Sequence, residues 1–143
     1  MSHQWRSVLR ALAQELHANG TTEGLKTLFF VVGQRMARDV EAEFESINTL
    51  SDLQSRLNSH WEAINWGWVA LHELEDSIRI EHQAAPLAEA FGEAAMPWAV
   101  GLLEGFYDAV FKVLGAGDSM RVHAMNEPLC NLQITLRFEQ YAS

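Results

Sequence analysis

Cysteine is almost missing from this chain of 143 residues: Cys130 stands alone. No internal disulfide can form, and a cysteine-built zinc site is ruled out. Positive charge is scarce as well. Ten Lys and Arg stand against nineteen Asp and Glu, a formal net charge of −9. Nonspecific nucleic-acid binding needs basic side chains to displace phosphate counterions, so nucleic acid is not expected as a partner. Anionic membrane surfaces are disfavoured on the same ground. No apolar run reaches the ~20 residues that span a bilayer, which argues against membrane insertion. The first residues, MSHQWRSVLRALAQ, lack the unbroken apolar core of a signal peptide. The expectation is a soluble cytoplasmic protein, with unusual export to the periplasm as the alternative. A P-loop, a Gly-x-Gly-x-x-Gly turn, a nucleophile elbow and a His-Glu-x-x-His pair are all missing. So are repeats, low-complexity tracts and a linker, and residues 1–143 read as a single domain.

What the chain does contain is apolar material at 48%, enough for a substantial core. It is organised around Met96 to Gly117, MPWAVGLLEGFYDAVFKVLGAG, which reads as one long amphipathic helix. Pro97 suits its first turn, and Gly115 and Gly117 suit its end. Leu102, Leu103, Phe106, Val110, Val113 and Leu114 recur at helical spacing. Gly101 and Gly105, one turn apart, mark a side where another element can approach closely. Three helices precede it: Trp5 to His17, about Thr22 to Glu45 capped at Thr22 and Glu23, and Ser51 to about Ala63 capped at Thr49 or Ser51. The stripe of the second is Leu25, Leu28, Phe29, Val32, Met36, Val40 and Phe44, with Gly33 implying close packing. Phe30 and Val31 fall outside it. A helix apolar on two sides is buried on two sides, so another copy of the chain is expected over Phe30 and Val31.

The period then changes to two. Trp66 to Leu74 and Ile78 to Gln83 form a hairpin around Glu75-Asp76-Ser77, pairing Leu74 with Ile78 and His72 with Ile80. Trp66, Trp68, Ala70, Leu74, Ile78 and Ile80 then share a face. Ala84 to Ala95 reads as a loop with a helical turn. Asp118 to Met125 and Asn131 to Tyr141 form a second hairpin, with Leu132, Ile134, Leu136 and Phe138 inward. The fold class is α+β: N-terminal helices, then two antiparallel hairpins flanking a long central helix, with the sheet packed on that helix.

Candidates for chemistry are few. The hairpin register sets His72 and His82 diagonally on one face, within reach of one metal ion but without a third ligand. Partly exposed structural histidines are the plainer reading, and no metal or cofactor is expected. Glu104 and Asp108, one turn apart, could flank a scissile bond, but like charges at that spacing are usually solvated. Cys130 has no local partner that would activate it. Five tryptophans invite a carbohydrate reading; Trp61, Trp66 and Trp98 fit core positions, Trp68 fits core or rim, and Trp5 lies close to the terminus.

Trp66-Gly67, the Ile-Arg-Ile strand at Ile78 to Ile80, and Trp98 followed by Leu103-Glu-Gly-Phe-Tyr107 occur in an order that resembles the D subunit of the bacterial cellulose synthase operon. Leu9, Leu12, Glu15, Gly20, Gly33 and Met36 extend the likeness into the first half. The resemblance implies a non-catalytic accessory subunit, a closed octamer built from dimers. It would organise synthase complexes, with other subunits of the complex as partners, and help β-1,4-glucan chains leave in order. It also implies glucan contact near the N-terminus, here at Ser2, His3, Gln4, Trp5 and Arg6. A second resemblance, over the C-terminal half, is to small-molecule or metal-binding sensor modules of the 4-vinyl-reductase type. Those use paired cysteines where this chain has Cys130. On that reading His72, His82 or Cys130 would hold the ligand.

Overall fold

The computed structural model describes residues 3–125 and 133–140. Helix α1, His3–Asn19, and helix α2, Thr22–Asp39, form a pair joined at Gly20-Thr21. The cap of α2 is Thr21 rather than Thr22: its hydroxyl accepts the Gly24 N–H at 3.0 Å. Helix α2 stops at Asp39, short of the expected Glu45, and a 3₁₀ turn at Glu41–Glu43 carries Phe44 into the core. Helix α3, Leu50–Ile64, is capped by Thr49, whose hydroxyl accepts the Asp52 N–H. Leu53, Leu57 and Trp61 form its buried stripe.

The central helix comes in two pieces. Before them, α4 at Leu87–Phe91 is the helical turn expected in the Ala-rich stretch. A short α5, Met96–Ala99, carries Pro97 in its first turn, and α6, Gly101–Val113, follows after Val100. Gly115 ends α6 with φ +96°, as a left-handed terminator should. Residues Gly101 to Tyr107 are buried all round, so α6 is the core of the fold rather than a helix with one wet face.

Helix α2 crosses α6 at backbone contact. A Cβ on Gly33 would lie 1.9 Å from the Leu102 carbonyl oxygen, and one on Gly105 would lie 1.9 Å from that of Phe30. The glycines are reciprocal: each helix offers one where the other's main chain arrives. This rotates α2 from the expected stripe. Its buried seam is Leu25, Phe29, Gly33 and Ala37, spaced by four, while Leu28 and Val32 face outward with Val31. Phe30 is half-buried, its main chain against Gly105.

The sheet has four antiparallel strands in the order β1-β2-β4-β3: β1 Trp68–Glu73, β2 Ile78–Gln83, β3 Met120–Ala124 and β4 Gln133–Gln140. Ile134, Leu136 and Phe138 point inward as expected, whereas Leu132 lies outside the described residues. The first hairpin departs from the expected register by one residue. Leu71 pairs with Ile80 and His72 with Arg79, and Leu74–Ser77 is a turn closed by Leu74 N–H to the Ser77 carbonyl at 2.8 Å. A one-residue slip moves every side chain of β1 to the opposite face. Val69 and Leu71 are therefore inside, and Trp68, Ala70 and His72 are outside. The run Trp68-Val69-Ala70-Leu71 is apolar in both phases, so alternation could not choose between them.

Candidate functional site

The slip separates the two histidines. His72 lies on the outer sheet face and bonds Glu81 at 2.9 Å; His82 is fully buried on the inner face, paired with Val69. A site using both is excluded by this geometry, and among the described residues no group of three His, Cys, Asp or Glu is placed to hold a metal. Cys130 lies outside the described residues.

His82 belongs instead to a buried polar chain. Its Nε2 lies 2.7 Å from the Trp66 carbonyl, which can only accept, so Nε2 carries the proton. Its Nδ1 is then an acceptor for the Tyr107 hydroxyl at 2.6 Å. The Tyr107 oxygen in turn accepts the Trp61 indole N–H at 3.0 Å. Every polar atom in the chain has a partner in the role it can play. Burial lowers the His82 pKa to about 4, partly offset by the bond to Trp66, and raises that of Tyr107 well above its usual value.

Glu104 and Asp108 are not solvated. Both are buried, and each accepts a main-chain N–H of edge strand β3: Glu104 from Ala124 at 2.7 Å, Asp108 from Val122 at 3.1 Å. Lys26 and Lys112 balance their charge at 3.4 and 3.1 Å. The opposite edge is treated alike. Asn58 bonds both the N–H and the carbonyl of Val69, and Gln54 accepts from Leu71 N–H. Unpaired edge strands recruit other strands. Here helices α3 and α6 occupy both edges with side chains.

Two outward features remain. The first is apolar: Trp5, Val8 and Leu12 on α1 and Leu28, Val31 and Val32 on α2 are all exposed, Trp5 to 58%. The N-terminal residues expected to contact glucan form the first turn of this α1. Arg6 bonds His3 at 2.9 Å and lies 3.7 Å from the Glu89 carboxylate; Gln4 and Trp5 stand between them, and Ser2 is outside the described residues. The second is an open cleft of about 810 Å³ where the end of α3, the start of β1 and α4 meet α1. Trp68, Asn65, Glu62 and Arg10 are in its wall. Sequence alone does not reveal this cleft, since its residues come from three separate stretches. The Trp66-Gly67-Trp68 triplet is its one visible signal.

A helix-wrapped antiparallel sheet, with Glu104, Asp108, His82 and Tyr107 held in structural hydrogen bonds and with an open cleft beside α4, defines an α+β domain. The fold is similar to that of trafficking protein particle complex subunit 3 from Naegleria fowleri, solved covalently bound to palmitic acid. The TM-score is 0.61, over 92% of this chain and 89% of that one. At 12% identity that likeness is one of fold alone. Residues 1–138 match the family profile of the cellulose synthase D subunit, and the chain belongs to that family. Cellulose synthase operon protein D of Komagataeibacter xylinus is 36% identical over 101 residues, covering 69% of this chain and 64% of the relative; its counterpart from Komagataeibacter sucrofermentans matches equally. The matched stretch thus spans a little under two thirds of those relatives.

Proposed function

We propose that the protein is a non-catalytic accessory subunit of bacterial cellulose biosynthesis. It assembles with itself into a closed oligomer, an octamer built from dimers, that organises synthase complexes and helps glucan chains leave in order. The observation that carries this reading is the exposed apolar surface of α1 and α2, with Trp5, Val8, Leu12, Leu28, Val31 and Val32 facing outward. Exposed apolar side chains set at helical spacing along α1 and α2, an aromatic among them, fit a contact between chains. Membership of the D-subunit family supports the cellulose context and partners within the synthase complex. The commitment of Glu104, Asp108, His82 and Tyr107 to structural hydrogen bonds supports a role other than catalysis. Val31 belongs to the contact on this reading, and Phe30 supports it from beneath through the α2–α6 crossing. The first turn of α1, with Ser2, His3, Gln4, Trp5 and Arg6, is proposed to line the path of the glucan.

The test is a charge placed on the surface without touching the core. Leu28→Asp with Val31→Asp should dissociate the assembly to a smaller, folded species and lower cellulose output when it replaces the native chain in cells. An unchanged native mass would reject α2 as a subunit contact.

A further inference from the structure

We propose that the cleft in front of Trp68 is a saccharide-binding site, and that its ligand is an uncharged, β-linked pyranose chain. The inference rests on the glucan-handling reading above, but it assigns a place that the N-terminal residues do not include.

Trp66 and Trp68 straddle Gly67 and go opposite ways. Trp66 turns inward, stacking on Trp61 with ring centroids 5.7 Å apart and giving its carbonyl to His82. Trp68 turns outward and stays 57% exposed in the cleft wall. Gly67 makes this divergence possible. Its φ is +78°, and a Cβ there would sit 1.8 Å from the Gln83 carbonyl oxygen. A large indole held in the open at a rigid strand start is costly to leave wet, since apolar area buried is worth roughly 25 cal/mol per Å².

One backbone outlier lies at the same place: Ala84, with φ +59°, lines the cleft beside Gly67, while Asn65, φ +61°, is the left-handed cap that ends α3. An alanine in that region is uncommon, and such outliers gather where structure is held for a purpose.

The lining specifies the ligand. A β-linked glucopyranose carries its hydroxyls around the ring equator and presents C–H groups on both faces. A flat indole suits the faces, and amides and carboxylates suit the hydroxyls. Among the described residues neither the Asn65 amide nor the Glu62 carboxylate makes a side-chain hydrogen bond, so both are open to a ligand. Glu62, Glu89 and Glu93 line the cleft, against Arg10 in the wall and Arg6 on the Glu89 carboxylate, so the wall stays net acidic and disfavours phosphates, nucleotides and acidic polymers. The volume, about 810 Å³, falls within the roughly 300–1,000 Å³ of small-ligand sites. The cleft is also open, which suits a chain that enters and leaves by its ends.

Titration of the full-length protein with cellohexaose, read by calorimetry beside native mass, tests this. The wild type should bind, and Trp68→Ala should weaken binding by roughly tenfold or more with its native mass unchanged. Glu62→Ala, at an exposed position, should give a smaller loss in the same direction. Loss of binding in Trp5→Ala with full binding in Trp68→Ala would overturn the cleft while leaving the N-terminal glucan path standing. Absence of wild-type binding would overturn the cleft and that path together, without touching the oligomer. A changed native mass in Trp68→Ala would overturn the site as well, because the cleft would then be a contact between copies.

Discussion

His82 is neutral because the fold leaves it no other state. It has no anionic partner, the Trp66 carbonyl fixes its proton on Nε2, and Tyr107 fills Nδ1. With the folded pKa near 4 against 6.5 when unfolded, the unfolded chain binds the extra proton first. Stability is therefore full above about pH 6.5 and falls as pH drops toward 4; a shift of this size corresponds to ~3 kcal/mol across that window. Burial lowers the pKa of His60 also, and its titration acts in the same direction. Denaturant melts at pH 7.5, 6 and 5 should show the decline, and His82→Gln should flatten it. Tyr107→Phe keeps the ring but strands the Trp61 N–H and the His82 Nδ1. It should cost about 1–3 kcal/mol without altering the fold, measured by chemical unfolding. None of this chain of bonds is visible in the sequence. There His82 stands out only as a metal candidate, and Tyr107 only as part of a family pattern, because the link depends on a strand register that Trp68-Val69-Ala70-Leu71 leaves ambiguous.

Among the elements, the α2–α6 crossing does most to set the architecture. Gly33→Ala gains about 1 kcal/mol of helix propensity, yet its Cβ meets the Leu102 carbonyl oxygen and the Phe106 nitrogen. Main chain cannot rotate away as a side chain can, so the net effect should be a loss of about 1–3 kcal/mol in thermal or denaturant unfolding. The edge straps make a separate prediction. Asp108→Ala leaves the buried Val122 N–H unpaired and should destabilise by about 1–3 kcal/mol, whereas Asp108→Asn retains an acceptor and should recover most of it. Much at this scale is legible in the sequence. The order of the long helices and the strands, a cap of α3 at Thr49 or Ser51, a terminator at Gly115, strand β2 to the residue, and a close approach at Gly33, Gly101 and Gly105 all follow from local pattern; the break of the central helix at Val100 does not. Phase does not. Periodicity favours Leu28 and Val32 as core because they are apolar, while the partner helix needs the small side of α2. Glu104 and Asp108 read as solvated for a similar reason: a sequence does not show which strand edge will need its N–H groups filled.

For the whole molecule, the central question is what covers the outward apolar surface of α1 and α2. Among the described residues helix side chains already bond main-chain N–H groups on both sheet edges, so the proposed assembly is expected to use the helices rather than strand addition. The most direct measurement is native mass in solution over a wide concentration range. A closed species of about eight chains should persist on dilution and give way to smaller folded species in Leu28→Asp/Val31→Asp. A monomer at every concentration, with Trp5, Val8 and Val31 left in water, would contradict assembly through these helices.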